Sequence, residues 1–424
     1  MADLRPFKPI HFDKEKVDLS KIVTQPYDKI NDELQKEYYE RNPYNYVRLI
    51  LGREEDRYEE AHRTFNEWFD KEILIKEKEN MFCIYHQEFI WNNEKYTRKG
   101  ILGTVRVVPF EKGEILPHER TLSKPKADRL NLIRKTEKNF EYVFFLYDDI
   151  ENKLEKILNP DREPDMETTD DFSVVHRVWF EKDKENINSI HNFMKEKTLV
   201  IADGHHRYET SLNYREEAIK KCEEDPDAAY NFRMATLVNM YDKGLIILPT
   251  HRLIYNTNFN IEEFINKVKE NFEVEEYKKE EIEEKIRGRK YSFGVYSAGK
   301  SYILTLKNEN IALNEIKIDR SRDFKLLDVS ILHNLIFEKY TVIKSNNVEE
   351  HVKYERYIKK LFEKVDKGEF EAGFILNPTT AEQVKKIAQN KERMPQKSTD
   401  FYPKLISGLA IFDIKCGEKL TIKT

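Results

Sequence analysis

Five consecutive residues, Asp203-Gly-His-His-Arg207, gather more chemically able groups than any other stretch of this chain. A short apolar run, Leu199 to Ala202, precedes them and reads as a buried strand. A helical pattern through Tyr208, Leu212 and Ala218 follows. A strand, a glycine turn and a helix start bring backbone N–H groups and cationic side chains to one point, which is an anion-binding arrangement. Gly204 would let the backbone approach a ligand closely. Arg207 would grip a phosphate or carboxylate bidentately, and His205 and His206 would donate hydrogen bonds or shuttle a proton. Asp203 would hold Mg²⁺, orient a histidine or act as a base. A helix capped by Asp203 with two surface histidines is the plain alternative, and it explains neither the histidine pair nor the arginine. Adjacent helical residues sit about 100° apart, so His205 and His206 do not readily share one ion. HExxH spacing and a cysteine partner are both missing, which argues against zinc.

Four further clusters carry polar chemistry. His118-Glu-Arg-Thr121, with Lys124, Lys126, Asp128 and Arg129, mixes a proton shuttle, a carboxylate and several cations. A solvated loop face is its alternative. Pro26-Tyr27-Asp28 places a carboxylate at a stiff turn. In Met394 to Lys404, the Lys-Ser-Thr resembles the end of a P-loop, but the glycines are missing. That segment is better read as a polar lid whose Lys397, Ser398, Thr399 and Lys404 reach an anion. Thr250-His251-Arg252 follows a strand. No GxGxxG and no GxSxG occurs, which counts against a dinucleotide site and an α/β-hydrolase.

The elements that must position these groups alternate without strict order, which predicts an α+β (mixed α/β) chain. We expect a catalytic core over residues 1–255 and a C-terminal α+β region over 256–424 whose 394–404 loop returns to the active site. Tyr46 to Leu51 and Val17 to Tyr27 read as extended pieces. Arg57 to Glu72 reads as an amphipathic helix, and Ser292 to Lys307 as a hairpin with a Ser-Ala-Gly-Lys turn. With 424 residues and a net charge of -5, the composition gives no global case for nucleic acid or anionic membranes. Cys83, Cys222 and Cys416 lie far apart and read as free thiols of a reducing cytoplasm. A signal-peptide core and a membrane span are not seen. The reading is a soluble cytoplasmic protein, and a homodimer is allowed.

The chain resembles a widespread bacterial and archaeal family long carried as a domain of unknown function. The resemblance runs over nearly the whole length. It rests on Gln25-Pro-Tyr-Asp28, His118 to Thr121 with Lys126-Ala-Asp-Arg-Leu130, Ile201 to Arg207, Leu248-Pro-Thr-His-Arg252 and Met394 to Lys404. Locally, Asp203 to Arg207 also looks like the nucleotide-phosphate motif of the ParB/sulfiredoxin superfamily, which includes free L-serine kinases. That likeness implies a ParB/sulfiredoxin-like core with insertions, and phosphoryl transfer from ATP or ADP to a free amino acid, L-serine first, giving O-phosphoserine. It implies that Gly204, His205, His206 and Arg207 hold phosphate and that Asp203 assists Mg²⁺ or substrate. Lys126 and Arg129 would stabilise transferring oxygens, and Asp28 or Glu119 would be the base. Two alternatives stay open: a nucleotide-binding regulatory module without turnover, and a metal-dependent hydrolase using His205, His206 and His251.

Overall fold

The computed structural model describes residues 2–119, 123–395 and 397–422. Arg120, Thr121 and Gln396, which belong to two of the motifs, lie outside the described residues, as does the side chain of Lys124. The chain is α+β and forms two compact units. Met1–Pro117, Thr121–Ile246 and Pro403–Thr424 make the first, and His118–Arg120 with Ile247–Tyr402 makes the second.

The first unit is built on a nine-stranded mixed sheet. Its strands are β1 (Leu4–Arg5), β2 (Phe82–Trp91), β3 (Glu94–Arg106), β4 (Ile115–Pro117), β5 (Val143–Tyr147), β6 (Met166–Thr169), β7 (Val175–Glu181), β8 (Leu199–Asp203) and β9 (Phe232–Asn239). They lie in the order β4-β8-β5-β9-β3-β2-β7-β6, with β1 on β3. β8 runs parallel to β4 and β9 parallel to β5, whereas the other pairings are antiparallel. Every residue of β5 and β9 is buried, which is why β5 reads as a continuous apolar run rather than an alternating one. Phe82, Ile101, Val143, Phe145, Leu199 and Ile201 form the core, against Ile190 and Met194 of helix α2 (Lys184–Met194). The register of β8 on β5 shifts between Ile201 and Asp203. Such irregularities re-aim a strand end, and here one does so immediately before the glycine turn.

Two short segments depart from expectation. Val47–Ile50 is a helix rather than a strand. Asn45 accepts a hydrogen bond from the Val47 N–H at 3.1 Å, and the Tyr46 hydroxyl donates to the Phe140 carbonyl at 2.7 Å. Periodicity alone does not separate a short buried helix from a short buried strand. Leu19–Ile22 is likewise helical, capped by Asp18, whose carboxylate accepts from the Ser20 N–H at 3.0 Å. The amphipathic helix is present as α1 (Arg57–Asp70), with Ala61, Phe65 and Trp68 buried.

The cysteine reading is corrected as well. Cys222 and Cys416 are joined by a disulfide, with Cα atoms 5.7 Å apart and a sequence separation of 194, and Cys83 is a buried free thiol. The bond ties the end of the helix after β8 to the C-terminal tail. Tertiary folding brings the two sulfurs together, and their spacing in sequence carries no sign of it. No helix among the described residues is long and apolar enough to cross a membrane.

The second unit carries a six-stranded antiparallel sheet. Its strands are β10 (His251–Ile254), β11 (Phe272–Glu276), β12 (Ser292–Ser297), β13 (Lys300–Leu306), β14 (Val352–Glu355) and β15 (Ala372–Ile375), in the order β11-β13-β12-β15-β10-β14. Successive side chains serve opposite faces. Ile254, Leu304 and Phe374 enter one core with Phe264 and Leu332, while Leu253, Ile303 and Ile375 enter another with Ile282 and Leu361. The expected hairpin is β12–β13, and its turn residues Ala298 and Gly299 have φ of 51° and 77°, as a two-residue hairpin turn requires.

Candidate functional site

The helix that follows β8, α3 (His205–Lys221), begins at a glycine whose φ is 92°. This left-handed conformation lets the chain leave the sheet and enter a helix within one residue. The helix has no side-chain cap and no acidic residue in its first turn. The positive end of the helix dipole, with the N–H groups of the first turn, therefore points at the glycine turn. Tyr208 fixes the helix from below: its hydroxyl donates to the Val108 carbonyl at 2.8 Å and accepts from the Val108 N–H at 2.9 Å. Thr210 and Ser211 donate back to the carbonyls of His206 and Arg207 at 2.6 and 3.1 Å.

Arg207 folds back over this turn. It is buried, and its Nη1 donates to the Tyr142 carbonyl at 2.6 Å while its Nη2 donates to Asp203 Oδ2 at 3.1 Å. Burial alone would ease its proton off; the charges of Asp203, Glu141 and Asp28 outweigh that and raise its pKa. The guanidinium braces the turn from inside. For Asp203, burial pushes the carboxyl up, but Lys404, Arg207, Lys29 and His205 together hold it well below the usual carboxylate range. Asp203 is thus an anion at neutral pH within a predominantly cationic setting. His206 is half-buried, and its pKa is lowered by burial first, then by Lys126 and Arg207, against the raising influence of Glu209 and Asp28. It is neutral at pH 7 and has one donor and one acceptor nitrogen. His205 is buried rather than on the surface.

Distant segments converge on the turn. Pro26 leads into a single 3-10 turn, Tyr27–Lys29. The Tyr27 N–H donates to Glu141 Oε1 at 3.1 Å, and the Arg129 guanidinium lies 4.0 Å from the centre of the Tyr27 ring. Arg129 also donates to the Ile50 carbonyl at 2.8 Å and sits 3.6 Å from Glu141 Oε2. This brings Asp28 into the field of both Arg207 and His206. Lys126 reaches Glu209 of α3 at 2.8 Å. The backbone of Lys404 is held by two buried polar groups: Gln87 Nε2 donates to the Lys404 carbonyl at 2.8 Å, and Arg98 Nη2 donates to the Pro403 carbonyl at 2.6 Å. Burial brings Arg98 down to about 10, so it stays charged at neutral pH.

Of the residues singled out in the sequence, Asp28, Lys126, Arg129, Asp203, Gly204, His205, His206 and Arg207 belong to the first unit. Glu119, Lys397, Ser398 and Thr399 belong to the second, where three motifs meet. His118 Nε2 lies 2.9 Å from Thr399 Oγ1 and 4.0 Å from the Glu119 carboxylate. The Met394 N–H donates to the His118 carbonyl at 2.7 Å. Ser398 donates to the Pro395 carbonyl at 2.5 Å and its own carbonyl accepts from Thr379. Arg252 Nη2 donates to the Lys397 carbonyl at 3.2 Å, where Lys397 has φ of 56°. Both the backbone and the Ser398 and Thr399 hydroxyls of this loop are engaged by the protein itself.

Sequence reasoning passed over Glu141, Lys29, Gln87 and Arg98. Glu141 left a signal, a lone carboxylate at the head of an apolar run from Phe140 to Tyr147. Gln87 and Arg98 left none, because opposite positions on paired strands are set by register, Gln87 facing Arg98 across β2 and β3.

Metal ligation was also expected of Asp203. Among the described residues no group of three or more histidines, cysteines and carboxylates is placed to hold an ion. Asp203 is instead paired with Arg207 and lies in the field of Lys404 and Lys29.

No curated protein matches the chain. Solved structures similar to it include a free serine kinase in complex with AMP, at 15% identity over 71% of this chain and 88% of that chain, with a TM-score of 0.34. A conserved hypothetical protein from Pyrococcus furiosus is similar at 14% identity over 71% and 92%, with a TM-score of 0.34. SbnI with C-terminal truncation, from Staphylococcus aureus, is similar at 8% identity over 73% and 87%, with a TM-score of 0.35. The model of the family described as protein of unknown function, DUF1015, matches residues 4–330, and the chain belongs to that family.

Proposed function

We propose that the first unit binds a nucleotide by its phosphates and transfers a phosphoryl group from ATP or ADP to the hydroxyl of a free amino acid, L-serine first, giving O-phosphoserine. One observation carries the reading: a helix N-terminus at a left-handed glycine, with Lys29 and Lys404 acting on Asp203 and Lys126 on His206 at the same turn. The local likeness of Asp203 to Arg207 to the nucleotide motif of the ParB/sulfiredoxin superfamily supports the same ligand.

In this reading the N–H groups of the α3 first turn and the amines of Lys29 and Lys404 hold the phosphates. Arg207 keeps the turn in shape from beneath. His206 donates a hydrogen bond to a transferring oxygen. The serine Oγ attacks the terminal phosphorus, the bond from that phosphorus to the bridging oxygen breaks, and the remaining nucleotide leaves with the electron pair. Asp28 takes the hydroxyl proton, being the carboxylate whose field reaches both His206 and Arg207. Mg²⁺ carried by the nucleotide would be steadied by Asp203 and would offset charge on the phosphates. Phosphoryl transfer asks for positioning and charge neutralisation more than for covalent help, and this turn offers both.

The test is ³¹P NMR of the protein with Mg²⁺, ATP or ADP, and a panel of hydroxy amino acids. A new phosphomonoester resonance that depends on serine supports the proposal. Nucleotide binding with no new resonance for any acceptor would replace it with a regulatory nucleotide module.

A further inference from the structure

The second unit contains a cavity of about 630 Å³ that the phosphoryl-transfer reading does not use. One wall is apolar and aromatic, with Phe324, Phe337, Tyr354 and Met394. The segment that supplies Phe337 also supplies His333, and it is a π-helix, Leu332–Phe337, a distortion found often at functional sites. His333 is oriented by a buried cation: Arg252 Nε donates to His333 Nε2 at 3.3 Å. With Nε2 accepting, the proton of the neutral ring sits on Nδ1. Burial, together with Arg252, brings the ring down to about 3, so this tautomer persists across the physiological range. His333 therefore brings a neutral ring in one tautomer to the cavity wall, beside the aromatic rings.

Arg320, Asp319 and Glu349 also line the cavity. Among the described residues none of the three has an ion-pair partner; the Arg320 guanidinium lies 5.8 Å from the centre of the Phe324 ring. A cation and two carboxylates, both signs unpaired, border an aromatic-walled space of a size suited to a small molecule.

We infer that this cavity is a binding site for a zwitterionic ligand of the amino-acid class with a large apolar or aromatic side chain. Arg320 and the His333 Nδ1–H take its carboxylate, Asp319 or Glu349 takes its ammonium, and the rings of Phe324, Phe337 and Tyr354 cover its side chain. An anion alone would leave the two carboxylates facing it, and a cation alone would leave Arg320 and the histidine donor without use. The inference does not depend on the kinase reading, because every residue it invokes belongs to the second unit.

The experiment is isothermal titration of the full chain with L-phenylalanine and L-tryptophan, beside 3-phenylpropionate, which lacks the ammonium, and phenethylamine, which lacks the carboxylate. The expected result is saturable binding of an amino acid, weakened about tenfold or more when either charge is removed. Arg320→Ala, an exposed position, should weaken the amino acid and 3-phenylpropionate but not phenethylamine. Val348→Trp should block all of them by filling the space. ADP titration of the same variants is unchanged if they fold, which separates this site from the first unit. Absence of saturable binding of both amino acids overturns the inference, as does binding that Arg320→Ala and Val348→Trp leave intact.

Discussion

Replacing Gly204 by alanine tests whether the left-handed turn and the buried arginine form one unit. A Cβ at this position would lie 3.0 Å from Arg207 Nε and 3.2 Å from its Cζ and Nη2. The backbone there has φ of 92°, a region that costs an L-residue about 1–2 kcal/mol. The guanidinium must also give way, and its shortest contact, 2.6 Å to the Tyr142 carbonyl, is a charged hydrogen bond of about 1.5–3 kcal/mol. Partial loss of that bond and the backbone cost sum to about 3 kcal/mol. For a unit of this size that is a fall in melting temperature of roughly 6 °C. Denaturant titration of Gly204→Ala, Arg207→Ala and the double variant supplies the cycle. Removing the arginine removes the group the new methyl strikes, so the double variant should be less destabilised than the sum of the singles by about 1–2 kcal/mol. Additive losses, or an unchanged melting temperature for Gly204→Ala, would refute the packing argument.

Three further predictions follow from the same geometry. Lys404→Met removes the strongest charge holding Asp203 ionised; ADP affinity should fall about tenfold with little change in stability, read by calorimetry and thermal melts. Reduction of Cys222–Cys416 opens a loop of 194 residues and should cost about 3–5 kcal/mol, seen as a lower melting temperature with dithiothreitol and no such effect in Cys222→Ser. Burial pushes Asp328 up to about 7 from 3.8. The folded chain then binds that proton more tightly than the unfolded chain does. Stability should be full below about pH 4 and decline as pH rises towards 7, by at most about 4 kcal/mol. Asp328→Asn should flatten that slope in denaturant titrations across pH.

The glycine turn was legible in the sequence because each of its parts is local: an apolar strand, a residue free to adopt positive φ, and a helix start within nine residues. The role of Arg207 was not. A guanidinium beside two histidines reads as an exposed phosphate grip, and only the packing of β5 against the turn shows that the Tyr142 carbonyl already holds it. Lys29 and Lys404 share the turn because Pro26 starts a turn that Glu141 anchors, and because Gln87 and Arg98 hold the Pro403–Lys404 backbone. Those are contacts between residues more than a hundred positions apart, apart from Lys29 itself, and sequence spacing carries no trace of them. The Cys222–Cys416 pair was misread for the same reason. The helix at Val47–Ile50 failed differently, on a run too short for its period to be read.

The central claim is that nucleotide phosphates meet the first turn of α3. Selective ¹⁵N-histidine labelling reports on it directly, since the chain has 11 histidines and two of them, His205 and His206, are the first residues of that helix. Titration with ADP and Mg²⁺ should move the backbone amide resonances of His205 and His206, assigned by His205→Gln and His206→Gln, ahead of the other histidines. Saturable ADP binding that leaves both amides in place would contradict the account.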